Sequence, residues 1–339
     1  SATCQNVLFS YQEGPHQSRT LKRMQGSGEV ILMMHPKMTA TGDLIELVNE
    51  EIEHYQLTSE EAHQCIFKTP FGITIRSTKI IFCAEEGFIR FYDPVGVFVK
   101  DKETIEFSSD FLTWIPEKKS MVLEGKSLIK MSDMSWQVAG TVNCIFADAL
   151  EKQIAMTIPM LIDARGDIVL TNAKRGLTIT VNGQALYQAS DHRLVLEKHQ
   201  EALQIHVFDR LGQIFSNKII FLLNPAHFLD VEEVDLFGHV SVINKMFSSK
   251  EQEALQYILA DDAHINLKHG TALFKADKGK RVLIMDKINR MQVSAPSITV
   301  KKDTGLIPFS IKGSGDVRFL FKEEELAEIK KRFMQKAGN

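Results

Sequence analysis

Long apolar runs are missing from this chain. A helix that crosses a bilayer needs roughly 18 or more consecutive apolar residues, and the longest candidates, such as Lys218-Ile-Ile-Phe-Leu-Leu-Asn224, are only strand-sized. No membrane span is expected. A surplus of one charge is missing too: 40 basic residues stand against 43 acidic ones, for a net charge of −3. Coating nucleic acid or an anionic membrane requires a strong basic excess, so nucleic acid is not an expected partner. Cysteine is scarce, and Cys4, Cys65, Cys83 and Cys144 contain no CxxC pair, which excludes a zinc ribbon. Their spacing fits zero, one or two disulfides. No Gly-x-Ser-x-Gly nucleophile elbow occurs either.

What is present is alternation. Phe71-Gly-Ile-Thr-Ile-Arg-Ser-Thr-Lys-Ile-Ile-Phe82 and Gly87-Phe-Ile-Arg-Phe-Tyr92 swap apolar and polar residues at period two, as half-buried strands require. Similar runs recur through Trp136 to Phe146, Leu177 to Val181, Leu203 to Phe208 and Lys218 to Leu223. The fold class expected is mainly β, a multi-domain β-sandwich protein with a few short helices and a C-terminal helix. A chain of 339 residues exceeds the usual size of one core, which suggests three parts. They are an N-terminal β domain over 1–155 with a helical insertion at about 43–65, a sandwich over 156–226, and a C-terminal β domain over 227–339.

The helices are expected from start signals and spacing. Thr41 or Asp43 can cap a stripe of Leu44, Leu47, Val48, Ile52 and Tyr55. Thr58 with Glu61, and Ser248 with Glu251 before Leu255, Ile258 and Leu259, form capping boxes. Leu326, Ile329 and Phe333 line a face of the C-terminal helix.

Two regions look alike. Gly28-Glu29-Val30, Thr69-Pro70 to Ile75 and Gly87 to Tyr92 are matched in order by Gly270-Thr271-Ala272, Ala295-Pro296 to Val300 and Gly315-Asp-Val-Arg-Phe-Leu320. Either this is a duplication, with Gly87–Tyr92 and Gly315–Leu320 as equivalent strands, or two strand-rich stretches agree by chance.

In the middle, Val181-Asn182-Gly183 carries the strongest short hairpin signal, and Ile205-His-Val-Phe-Asp-Arg-Leu-Gly212 ends a strand in an Asp-x-x-Gly turn. These residues resemble a bacterial immunoglobulin-like domain. The flanking repeats are similar to FecR-type β domains, through Thr69-Pro70 and Ala295-Pro296; Ser77-Thr78 and Asp303-Thr304 stand where that family continues with Gly-Thr. The resemblance implies a bacterial envelope setting, periplasmic or otherwise extracytoplasmic with a cytoplasmic chain as the alternative, and protein subunits of an envelope complex as partners.

Candidate chemistry is sparse. In Lys275-Ala-Asp-Lys-Gly-Lys-Arg281 a phosphate loop fails, because Phe274 takes the first-glycine position and Arg281 replaces the Ser or Thr that would hold magnesium. The segment reads as a hairpin turn with Gly279 at positive φ, and Lys278, Lys280 and Arg281 make it a candidate anion-binding turn. Asp262 and His264 share a strand face and are the candidate metal ligands, although His269 would point away. His63-Gln64-Cys65 suggests an activated thiol, against which stands a buried structural cysteine. No cofactor is implied. The function expected is that of a non-enzymatic structural or binding component of a bacterial cell-envelope assembly. The alternatives are a secreted or intracellular effector, or a metal-dependent hydrolase.

Overall fold

A computed structural model describes residues 2–13, 19–34, 37–49, 53–60, 63–69, 72–100, 103–146, 160–224, 227–247, 253–287, 291–302 and 309–320. Among them the regular elements are all β-strands. The chain divides into two units, 1–173 with 186–190, and 174–185 with 191–339.

The first unit opens with β1 (Ala2–Thr3), β2 (Asn6–Glu13) and two long strands, β3 (Arg19–Met34) and β4 (Met38–Asn49). There follow β5 (Glu53–Thr58), β6 (Cys65–Lys68), β7 (Ile73–Ser77), β8 (Lys79–Cys83), β9 (Phe88–Tyr92) and β10 (Val95–Lys100). Strand β4 forks: Leu44 to Asn49 pair with β5, and Thr39 to Thr41 pair with β6. Two antiparallel ladders leave the fork, β5–β8–β9 and β6–β7–β10. They are extended by β12 (Phe111–Ile115) and β11 (Glu103–Ser108), then rejoined by β13 (Ser120–Met131), which pairs with both. Strands β14 (Met134–Ile145) and β15 (Leu161–Asn172) continue the meander.

Alternation decides which side chains face inward. Leu57, Phe67, Ile75, Ile80 and Phe91 are fully buried, each worth about 1.5–3 kcal/mol of transfer free energy. Phe67 of one ladder meets Phe91 and Trp114 of the other at 5.2 and 6.2 Å, both edge-on. The ladders therefore pack face to face around these rings, with an added preference of about 0.5–1.5 kcal/mol per edge-on pair.

The division between the units falls within β16 (Leu177–Gln188). Beyond it come β17 (Arg193–Lys198), β18 (Ile205–Phe208), β19 (Gly212–Ser216), β20 (Lys218–Asn224) and the long strands β21 (His227–Phe247) and β22 (Glu253–Asn266). The last strands are β23 (Thr271–Lys275), β24 (Val282–Asp286), β25 (Met291–Ala295), β26 (Ser297–Lys302), β27 (Phe309–Ser314) and β28 (Arg318–Leu320). Like β4, β22 forks, pairing with both β23 and β24. Its ladders are β23–β26–β27 and β24–β25–β28.

Strand for strand, β19–β28 repeat the pairing scheme of β1–β10. A shared irregularity fixes the alignment. In β3, Gly28 and Glu29 have φ of +77° and +36°; in β21, Gly238 and His239 have +74° and +55°. Each pair is a bulge that shifts the register and is followed by a buried valine, Val30 or Val240. The amide of Gln5 is shared between the Ser27 and Gly28 carbonyls, and that of Asn217 between the Phe237 and Gly238 carbonyls. The duplication is real in topology but not in the expected register. Gly87–Tyr92 contributes β9, whose counterpart is β27, whereas Gly315–Leu320 contributes β28, whose counterpart is β10. Alternation matches any strand to any other; the bulge is what distinguishes them.

The expected helices give way to strands wherever they are described. Leu44 to Val48 lie in β4, with Ile45 and Leu47 inward, and Tyr55 lies in β5. The stripe of apolar residues there satisfies both periods, and pairing on both sides selects the strand. Asp43 does accept an amide as a cap would, but from Glu60 in the neighbouring loop, at 2.9 Å. Leu255, Ile258 and Leu259 lie in β22, where Ile258 is buried and Leu259 exposed, as period two demands. The C-terminal helix lies outside the described residues, as do Glu61 of the first capping box and Ser248 and Glu251 of the second. Asn182-Gly183 forms no hairpin, since both residues sit inside β16. A Cβ on Gly183 would come within 2.1 Å of the Glu197 carbonyl oxygen, so this glycine serves close backbone approach rather than a turn.

Candidate functional site

Where a strand of one ladder ends, the chain steps to the other ladder through a short corner, and the corners repeat their chemistry. Ser77, which ends β7, accepts the Tyr92 amide at 3.1 Å and has the Lys79 and Tyr92 carbonyls within donor range. Ser216, which ends β19, accepts the Phe237 amide at 3.1 Å and lies 2.9 Å from the Lys218 and Phe237 carbonyls. Both hydroxyls are buried and fully used. The Lys275–Arg281 segment is another such corner. It contains the expected turn, with Gly279 at φ +85° and the Lys280 amide bonded to the Asp277 carbonyl at 2.9 Å. It is not a hairpin, because β23 and β24 pair with β22 rather than with each other.

The candidate anion-binding cations are engaged by carboxylates. Lys280 Nζ lies 2.8 Å from Asp261 and 3.0 Å from Asp277, and Arg281 pairs with Asp316 at 3.1 Å while donating to the Ser294 carbonyl. Lys280 holds the Asp261 carboxyl below its ordinary range, helped by the Asp277 amide, and its own pKa is raised in return. Lys278 is in the exposed tip of the turn.

Asp262 and His264 do share a face of β22, as expected, but they face different partners. Asp262 accepts the Gly238 amide of the β21 bulge at 3.4 Å, and His264 Nδ1 bonds Asp235 at 2.7 Å. His269 sits in the following turn, its amide bound by Asn266. Among the described residues no three of His, Cys, Asp and Glu converge on a common point. His63 lies beside Asp43, and the Cys65 thiol is directed at the Leu57 carbonyl and the Ser59 hydroxyl. Burial pushes the Cys65 thiol up from its usual pKa, the opposite of activation. All four cysteines are unbonded thiols.

The second unit holds a cavity of about 270 Å³ between its ladders. Its apolar lining includes Val242, Ile258, Ile265, Ala272 and Phe274. Leu211 and Phe208, 66% and 37% exposed, stand at its mouth. The mouth is shaped by the β18–β19 turn, where Asp209 accepts the amides of Leu211 and Gly212 at 2.7 and 2.9 Å, as an Asp-x-x-Gly turn should.

Neither a protein-family model nor a curated protein matches the chain. The immunoglobulin-like and FecR-like resemblances are thus not identified by those comparisons.

The duplication shows how the cavity arises. With the bulges aligned, the cross-strand pair Met34–Met38 of the first unit becomes Asn244–Gln256 in the second. Tyr55, opposite Leu47, becomes Ala272, opposite Ile265. Ala272, Asn244 and Gln256 all line the cavity. The same module therefore carries bulk in one copy and space in the other. Sequence reasoning does not single these residues out, because a polar residue at the inward phase of a strand is visible only once the register is known.

Proposed function

We propose that the protein is a non-enzymatic binding component of a bacterial envelope assembly, and that its second unit seats an apolar chain between the two ladders. The observation that carries this reading is the apolar cavity, opened at positions where the duplicated module bears larger side chains. At about 270 Å³ it exceeds the roughly 150 Å³ that suffices for an apolar cavity to bind benzene. Apolar pockets with a few polar groups are the usual form of small-molecule sites. The envelope setting rests on the family resemblance of the sequence. Contacts with protein subunits would use the ladder ends, since among the described residues β27 and β28 each pair on one side only.

A chain-length series tests the reading. Each buried methylene contributes about 0.8 kcal/mol, so displacement of a fluorescent alkyl probe should strengthen about fourfold per added carbon until the cavity is full. Ala272→Tyr, which copies Tyr55 of the first unit, should abolish the binding while leaving the fold intact. No binding by the wild type, or equal binding by Ala272→Tyr, would overturn it. For the assembly, the native mass of the endogenous protein after gentle envelope extraction should exceed that of a monomer; a free monomer would overturn that part.

A further inference from the structure

The polar groups of the cavity point to the kind of head its ligand carries. Across four strands of the second unit, Gly212, Asn244, Gln256 and Asp286 stand in one register row at the mouth end. Within this row Asn244 and Gln256 line the cavity side by side, and the other polar side chains of the lining are Asp209 and Gln213. Asn244 Nδ2 donates to Gln256 Oε1 at 3.2 Å. That bond uses one donor and one acceptor, and leaves the Asn244 carbonyl and the Gln256 amino group to address a ligand. Gly212 contributes no side chain; a Cβ there would lie 2.2 Å from the Ile243 carbonyl oxygen.

Charge narrows the choice. Among the described residues lining the cavity there is a carboxylate, Asp209, and no Lys, Arg or His. An anionic head placed there would lose its hydration without gaining a counter-charge. A neutral head with both a donor and an acceptor would complete the amide pair.

We infer that the Asn244–Gln256 pair selects an uncharged, hydrogen-bonding head, of the amide or hydroxyl class, on an alkyl chain held in the cavity. This rests on the apolar-chain reading above and adds head selectivity to it. The pair is a specificity device with a built-in control, because the first unit bears Met34 and Met38 at the matching positions of the same fold.

The test compares decanamide, methyl decanoate and decanoate as competitors of an alkyl probe, on the full chain and on the Asn244→Ala/Gln256→Ala variant, which removes the partners of the head without returning bulk to the cavity. The wild type should bind decanamide about tenfold more tightly than the methyl ester, and decanoate least. The variant should keep its affinity for the ester, which also reports that it is folded, and should lose the preference for the amide. Equal binding of amide and ester by the wild type, or a preference that survives in the variant, would overturn the inference while the apolar-chain reading stands. Failure of all three ligands to bind the wild type would overturn both.

Discussion

The carboxylate of Asp261 accepts the backbone amide of Asp277 at 2.8 Å, tying the centre of β22 to the corner that leaves β23. The first unit makes the same bond, from Glu60 to Asp43 at 2.9 Å. In each case the carboxylate pins the loop by which the chain changes ladders. Lys280 adds an ion pair to Asp261, and its counterpart His63 lies 3.8 Å from Asp43.

Asp261 is therefore expected to support stability over a defined pH range. Its folded pKa is lowered from 3.8, chiefly by Lys280, so its contribution is present above 3.8 and is lost as pH falls through the lowered value. Lys280 is raised from 10.5, chiefly by Asp261; its contribution is present below 10.5 and is lost as pH rises through the raised value. Urea midpoints of wild type and Asp261→Ala should differ by a constant amount between about pH 5 and 9, and converge at the acid end. A difference that persists undiminished at pH 2 would refute the assignment. Asp261→Asn, which keeps an acceptor for the Asp277 amide, should fall between the two.

The corner serines give a second expectation. Ser216 and Ser77 are buried, and each is the acceptor for a strand amide. Replacing either with alanine leaves polar groups unsatisfied, at a cost of about 1–3 kcal/mol. At the matching corner of the second copy the chain already has Ala295, followed by Pro296, so Ala295→Gly should not carry this polar penalty. Equilibrium denaturation of the three variants checks the contrast, and equal losses in all three would contradict it.

Glycine positions separate two physical demands. Gly87 has φ +67°, and no atom lies within 4 Å of where a Cβ would stand, so Gly87→Ala should cost about 1–2 kcal/mol, the ordinary penalty for a left-handed alanine. In Gly183→Ala the new methyl would lie 2.1 Å from the Glu197 oxygen and 2.8 Å from the Lys198 Cα. Backbone cannot yield as a flexible side chain can, and that variant should lose more than Gly87→Ala, beyond about 3 kcal/mol. Thermal denaturation of the pair decides it; the reverse order would show that the ladders slide freely at β16.

Much of the strand content is legible in the sequence because period-two alternation is a local property, and Phe91 or Ile80 can be assigned inward from neighbours alone. The Asp209–Gly212 turn is legible for the same reason. What escapes depends on pairing at a distance. Asp43 is recognisable as a residue that captures an amide, yet its partner lies 17 positions away rather than in the next turn. Asn182-Gly183 has hairpin chemistry, but both residues lie inside β16, where the Asn182 carbonyl accepts the His199 amide. Gly28-Glu29-Val30 hints at the duplication but suggests the wrong alignment, because its true mate, Gly238-His239-Val240, lies inside a single 21-residue strand with no turn to flag it. Asn244 and Gln256 become visible only when that register places them opposite each other.

The four thiols offer a direct check on the packed cores. Cys65, Cys83 and Cys144 are buried, whereas Cys4 is partly exposed. Burial pushes the Cys144 thiol up to about 12, so at pH 8 almost none of it is the thiolate that reacts. In native protein a colorimetric disulfide reagent should therefore label Cys4 in a fast phase, and Cys4→Ser should remove that phase. The remaining thiols should react at rates set by opening of the ladders, accelerating with urea as protection is lost. Full denaturation should then reveal all four. A fast phase of more than one thiol would mean that the first unit is looser than its edge-on Phe67, Phe91 and Trp114 packing requires, and a total of two would mean that a disulfide has replaced the separate buried thiols.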